Sequence, residues 1–219
     1  MAATPADTDA APTDTLPNGP LDEHAVHVCV DMQNLFARET AWHTPWMGRV
    51  LPRVLRLAGA APERTVFTRF VPARHPGEGR GCWKRYWERW AEMTVERLGE
   101  DMVGLVPELA ALAPPGSVVD KTVYSPWMEP GLDAALQARR AETLVITGGE
   151  TDVCVLATVL GAVDRGYRIV LATDAVCSSS DETHDAMMTL YRQRFGQQLE
   201  VATTDQILHN WNLSELTTR

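Results

Sequence analysis

Residues 143–165 read TLVITGGETDVCVLATVLGAVDR, a strand pattern, a turn and a helix pattern in succession. Residues 143–147 form a short β-branched run of the kind a buried strand needs. Gly148 and Gly149 then mark a tight turn. Beyond it Val155, Leu156, Val159, Leu160 and Val163 recur every three to four positions, which predicts a helix over 152–165 with one broad apolar face against a sheet. The same alternation runs through the chain. Strands are expected at 26–32, 65–70, 117–121, 143–147, 168–173 and 199–203, and helices at 46–59, 83–98, 132–139, 152–165, 182–194 and 205–211. Strands alternating with helices specify an α/β domain, here three layers (α/β/α) around a six-stranded, mainly parallel sheet, doubly wound in the Rossmann-like manner.

The 219 residues, 45% of them hydrophobic and 22% charged, are enough for one domain with a real core. No apolar run approaches the roughly 20 residues of a membrane-spanning helix. Five of the 29 acids, Asp7, Asp9, Asp14, Asp22 and Glu23, lie in the first 24 residues, which carry no Lys or Arg. Set against 20 bases, the formal charge is −9, and most of the excess belongs to that stretch. Such a balance offers nothing for phosphate backbones or anionic lipid, so nucleic acid and membrane are not expected partners. Residues 1–24, rich in Pro, Asp, Thr and Ala, read as a disordered acidic tail, leaving 25–219 as the folded domain. Four cysteines without a CxxC pair fit reduced thiols in the cytoplasm.

Two connections exceed the usual length, 33–45 after the first strand and 71–80 after the second. In open α/β sheets ligands bind beyond the carboxyl ends of the strands, where these loops lie. Three reactive side chains fall at that same edge: Asp31 near the end of strand one, Lys121 ending strand three and Cys154 just after strand four. A thiol at the start of a helix meets unpaired N–H groups and the positive dipole end, so a lowered pKa is expected for Cys154, with Lys121 acting the same way. Asp31 can take the thiol proton and return it to a leaving amine, while helix-start amides hold an oxyanion. Taken singly, a buried small Cys, a capping Asp and a solvated Lys are ordinary features. Their convergence on one sheet edge is what points to chemistry.

At these residues the chain resembles the isochorismatase-like cysteine hydrolase superfamily, in its metal-independent branch with N-carbamoylsarcosine amidases and biuret-type hydrolases. The resemblance rests on Val30-Asp31-Met32-Gln33-Asn34-Leu35-Phe36, on Val119-Asp120-Lys121 followed by Tyr124-Ser125, and on Gly148 through Val155. Thr173-Asp174-Ala175 leading to Glu182-Thr183-His184 extends it. It implies a catalytic triad of Asp31, Lys121 and Cys154, with Cys154 the nucleophile. It implies also a non-proline cis peptide between Gly149 and Glu150, which joins the Glu150 N–H to that of Cys154 in an oxyanion hole. The metal-binding branch carries an Asp-x-His pair after the second strand, where this chain has Thr68-Arg69-Phe70-Val71-Pro72. With His75 the only nearby imidazole, and His24, His27, His43, His184 and His209 at no shared ligand spacing, no metal and no cofactor are expected.

Retention of the thiol favours cleavage of a C–N bond in a small amide or ureide through an acyl-enzyme, with ammonia leaving. Isochorismatase-type ether hydrolysis, a thiol redox role with Cys177 as partner, and a non-catalytic binding module are the alternatives. The loops after strands one to three offer Phe36, Trp42, Arg69, Trp83, Tyr124 and Trp127 as substrate contacts, Arg69 for a carboxylate. Trp83, Tyr86, Trp87 and Trp90 equally fit the buried face of one helix. The resemblance implies a homo-oligomer, dimer or tetramer, and the segment 81–90 is the candidate contact surface.

Overall fold

The computed structural model describes residues 15–213. Six parallel strands, β1 (Ala25–Val30), β2 (Thr65–Phe70), β3 (Val118–Lys121), β4 (Thr143–Gly149), β5 (Arg168–Cys177) and β6 (Leu199–Ala202), form one sheet in the order β3-β2-β1-β4-β5-β6. Chain order reverses between β1 and β4, the crevice position of a doubly wound sheet. In chain order the helices are α1 (Asn34–Ala37), α2 (Met47–Ala60), α3 (Cys82–Arg89), α4 (Val95–Leu98), α5 (Glu100–Val103), α6 (Pro107–Ala110), α7 (Pro130–Ala138), α8 (Cys154–Asp164), α9 (Asp181–Arg194) and α10 (Thr204–Asn210). None among the described residues is long and apolar enough to cross a membrane.

The central strands are buried on both faces, so β1 and β4 read as continuous apolar runs rather than alternating ones. One face packs Cys29, Phe67, Val145 and Val170 against α2 and α10, the other packs Val28, Val66, Ile146 and Leu171 against α7, α8 and α9. Within the sheet His27 is buried between Thr65 Oγ1 (3.3 Å) and Thr147 Oγ1 (2.8 Å), and burial pushes its pKa down to about 3. It is therefore a neutral cross-strand bridge and not a titrating group at neutral pH.

Three expectations change. Helix 83–98 breaks into α3, a single 3-10 turn at Ala91–Met93, and α4, because Trp90 leaves helical geometry at φ −108°, ψ 46°. On α8 the buried stripe is Val155, Thr158, Val159 and Ala162, whereas Leu160 is 40% exposed. Of the expected tail, residues 1–14 lie outside the described residues, but 16–24 are docked. Leu16 and Leu21 are buried, Leu21 pairs with Trp211, and Arg168 donates to the carbonyls of Gly19 and Pro20. Two leucines and a set of backbone acceptors outweigh the acidic composition around them.

Candidate active site

Asp31 follows β1 with φ +49°, a conformation non-glycine residues seldom adopt. Its N–H meets Thr68 on β2, and Thr68 Oγ1 donates to Asp31 Oδ1 at 2.6 Å. That bond leaves Oδ2 for Lys121, which ends β3 two strands away and reaches it with Nζ at 2.7 Å. The same Nζ lies 3.3 Å from Cys154 Sγ and 3.2 Å from the Val123 carbonyl. Asp31 and Lys121 are fully buried, and Cys154 is 6% exposed. The three side chains expected at one sheet edge thus meet around a single ammonium.

Burial works against the Lys121 cation, but Asp31 and Cys154 outweigh it and its pKa is raised. For Cys154 the outcome is the reverse of the sequence expectation. Burial and the Asp31 carboxylate raise the thiol pKa well above its ordinary value, and Lys121 only partly opposes them. The resting thiol is therefore protonated, with the carboxylate positioned against it.

Cys154 opens α8 after the turn 148–153. Gly148 has φ +106°, and a Cβ there would collide with the Val30 carbonyl oxygen, so the first glycine is required by close approach of β4 to β1. The peptide between Gly149 and Glu150 is cis. Thr151, fully buried, is held by all of its polar groups: its N–H donates to Cys177 O (2.9 Å), its hydroxyl meets His184 Nδ1 (2.9 Å), and its carbonyl accepts from Tyr191 (2.9 Å). Ser178 donates to Asp152 and the Ser179 N–H to Glu150 Oε1. Among the described residues the N–H groups of Glu150 and Cys154 have no acceptor.

Above the thiol lies a cavity of about 340 Å³, walled by Phe36, Trp42, Phe70, Tyr86, Trp90 and Tyr124, with Glu150 and Ser179 on its polar side. Of the expected substrate contacts, Phe36, Trp42 and Tyr124 reach it. Trp83 stands behind, 5.1 Å from Tyr124 and 5.2 Å from Tyr86 between ring centroids. Arg69 does not reach it, because its guanidinium grips Asp120 with two bonds of 2.7 and 2.8 Å. Trp127 is on the other side of the sheet, where its Nε1 donates to Thr158 O and its ring fills the space over Gly161. Phe70, Tyr86, Trp90, Thr151 and His184 were not singled out from the sequence as site residues. The spacing of Tyr86 and Trp90 is the same for a core face and for a cavity wall, whereas Glu182-Thr183-His184 was visible as a motif without a task. Gln33, quoted in another motif, is fully buried and bonds Phe70 N, Phe70 O and Val103 O, fixing one cavity wall to β1.

An isochorismatase domain matches residues 25–204. The chain belongs to the isochorismatase family. Over 88% of this chain and 93% of the other, the fold superposes on a cysteine hydrolase from Pseudomonas syringae pv. phaseolicola with a TM-score of 0.72 at 21% identity. An N-carbamoylsarcosine amidase from Thermoplasma acidophilum gives 0.65 at 24% identity, over 83% and 96% of the two chains. In sequence, a probable inactive nicotinamidase of Arabidopsis thaliana is 29% identical over 161 residues, 72% of this chain and 82% of the relative. This isochorismatase-family chain thus combines the shared scaffold with a buried Asp-Lys-Cys cluster.

Proposed function

We propose that the protein is a cysteine amidohydrolase that cleaves a C–N bond of a small amide or ureide and releases ammonia. The observation that carries this reading is the contact of one buried ammonium with both Asp31 (2.7 Å) and Cys154 (3.3 Å) beneath an aromatic-lined cavity. Asp31 takes the thiol proton as Sγ attacks the carbonyl carbon, and Lys121 stabilises the pair of anions. The N–H groups of Glu150 and Cys154 receive the oxyanion. Asp31 passes its proton to the leaving nitrogen, the C–N bond breaks and ammonia departs. Water then gives a proton back to Asp31, attacks the thioester and releases the acid with the thiol restored. Phe36, Trp42 and Tyr124 contact the substrate, joined by Phe70, Tyr86 and Trp90. No step in this sequence calls on a metal.

The redox reading has less support. Cys177 is buried behind Gly149, and burial pushes its thiol up to about 12, which makes it a poor attacking group for a sulfenate on Cys154. Four free cysteines fit a reducing cytoplasm. A homo-oligomer would cover Met128 (73% exposed) and Leu160 (40%); the segment 81–90 instead spends much of its aromatic area within the chain. The direct test is ammonia release from a panel of amides and ureides with and without chelator. Release that survives chelator and disappears in Cys154→Ala is expected. Release retained in Cys154→Ala would show that amide cleavage does not depend on the thiol and would count against this reading.

A further inference from the structure

Six aromatic residues line the cavity, and among the described residues no Lys or Arg joins that lining. The one ionisable side chain on its wall outside the triad and the two phenols is Glu150. Burial raises both phenol pKa values, with Cys154 and Glu150 adding to it, so Tyr86 and Tyr124 are neutral walls. At the floor the charges of Asp31 and Lys121 offset each other, and the resting thiol is neutral. The remaining formal charge on the wall is therefore the carboxylate of Glu150.

The rings lining it pack on one another at inclined angles rather than in a flat layer. Trp42 stands 6.2 Å from Phe36, 6.1 Å from Phe70, 6.0 Å from Tyr86 and 5.9 Å from Trp90, at angles from 19° to 70°. Tyr86 and Tyr124 meet edge to face at 6.4 Å. Ring faces carry negative potential and attract cations, so an aromatic-lined cavity without a cation of its own on the wall suits an alkylated ammonium group. Two cations of the protein already lie against these rings: Lys121 Nζ is 5.0 Å from the Phe70 centroid and Arg89 is 5.3 Å from that of Trp90. A carboxylate in the same place would lose its hydration among π faces and face Glu150, with no donor cation to replace water. Arg69, the one residue expected to grip such a group, is committed to Asp120.

We infer that the substrate is an amide or ureide whose far end is a cationic, preferably alkylated, ammonium group, and that the site discriminates against carboxylates. This rests on the proposed hydrolase reading for turnover but not for binding, so the two can fail separately. The test uses butanamides ending in trimethylammonium, methyl or carboxylate groups. Binding to Cys154→Ala is followed by tryptophan fluorescence and turnover by ammonia release from the intact enzyme. The expected order of affinity is trimethylammonium, then methyl, then carboxylate, with about tenfold between the extremes. Glu150→Gln, which keeps the backbone N–H and an acceptor for Ser179, should shrink that ratio severalfold, and Trp42→Leu should lower affinity for the cation most. Equal or tighter binding of the carboxylate would overturn the inference. The expected order of binding without ammonia release would keep the inference and count against the hydrolase reading.

Discussion

The turn after β4 and the segment after β2 border the same cavity, yet they are held by different forces. Between Gly148 and Cys154 the turn is tied down by hydrogen bonds, Thr151 alone making three of 2.9 Å to β5 and α9, while among the described residues the N–H groups of Glu150 and Cys154 are left open. Such bonds fix positions to within a few tenths of an ångström, as the proposed attacking sulfur and oxyanion donors would demand. From 71 to 99 the opposite holds: Trp83, Tyr86, Trp87 and Trp90 pack on one another and on Trp42, Phe70 and Tyr124 through ring contacts of about 5 to 6.4 Å. Dispersion and apolar burial tolerate small shifts, so this wall can change its shape without disturbing the thiol. On the proposed reading, the polar turn sets the chemistry and the aromatic segment the selection.

Substitutions on the two sides should therefore fail in different ways. The largest effect is expected at the floor, where Lys121→Met leaves the buried Asp31 carboxylate without its cation. Activity should vanish, and stability in urea should fall by about 3–5 kcal/mol. Adding Asp31→Asn to that variant should restore part of the stability and none of the activity; an additive loss would show that the pair is not energetically coupled.

In the polar turn, His184→Ala removes the partner of the Thr151 hydroxyl without touching substrate. kcat should fall about tenfold with KM nearly unchanged, and His184→Asn, whose amide can replace Nδ1, should recover most of it. A change confined to KM would place His184 among binding groups instead. The smallest effect is predicted for Arg69→Met, since Arg69 serves Asp120: KM should stay within about twofold. A large rise in KM would restore the carboxylate grip that its ion pair now argues against.

The same contrast explains what could be read from the chain beforehand. Asp31, Lys121 and Cys154 were legible because each sits at the end of a predictable strand or the start of a predictable helix, and parallel strands bring such ends to one edge. The sheet was legible for the same reason, its buried strands being short and β-branched. The aromatic wall was not, because Tyr86 and Trp90 lie on a helix that breaks at residue 90, and helical spacing cannot tell a core from a cavity. Trp127 and Arg69 were misplaced by the same ambiguity. Strand direction alone does not reveal that one fills the opposite layer over Gly161 and the other pairs along the sheet with Asp120. The thiol pKa was misread because helix polarity is a local signal, whereas burial and Asp31 act across sequence distances.

The central claim is that Cys154 attacks carbon and holds the acyl group while ammonia leaves. Rapid acid quench of the enzyme mixed with a turned-over amide, followed by intact and peptide mass spectrometry, tests it directly. An adduct equal to the substrate minus ammonia should appear on the peptide bearing Cys154, before steady state and never in Cys154→Ala. Turnover with no adduct, and with undiminished rate in Cys154→Ala, would contradict it.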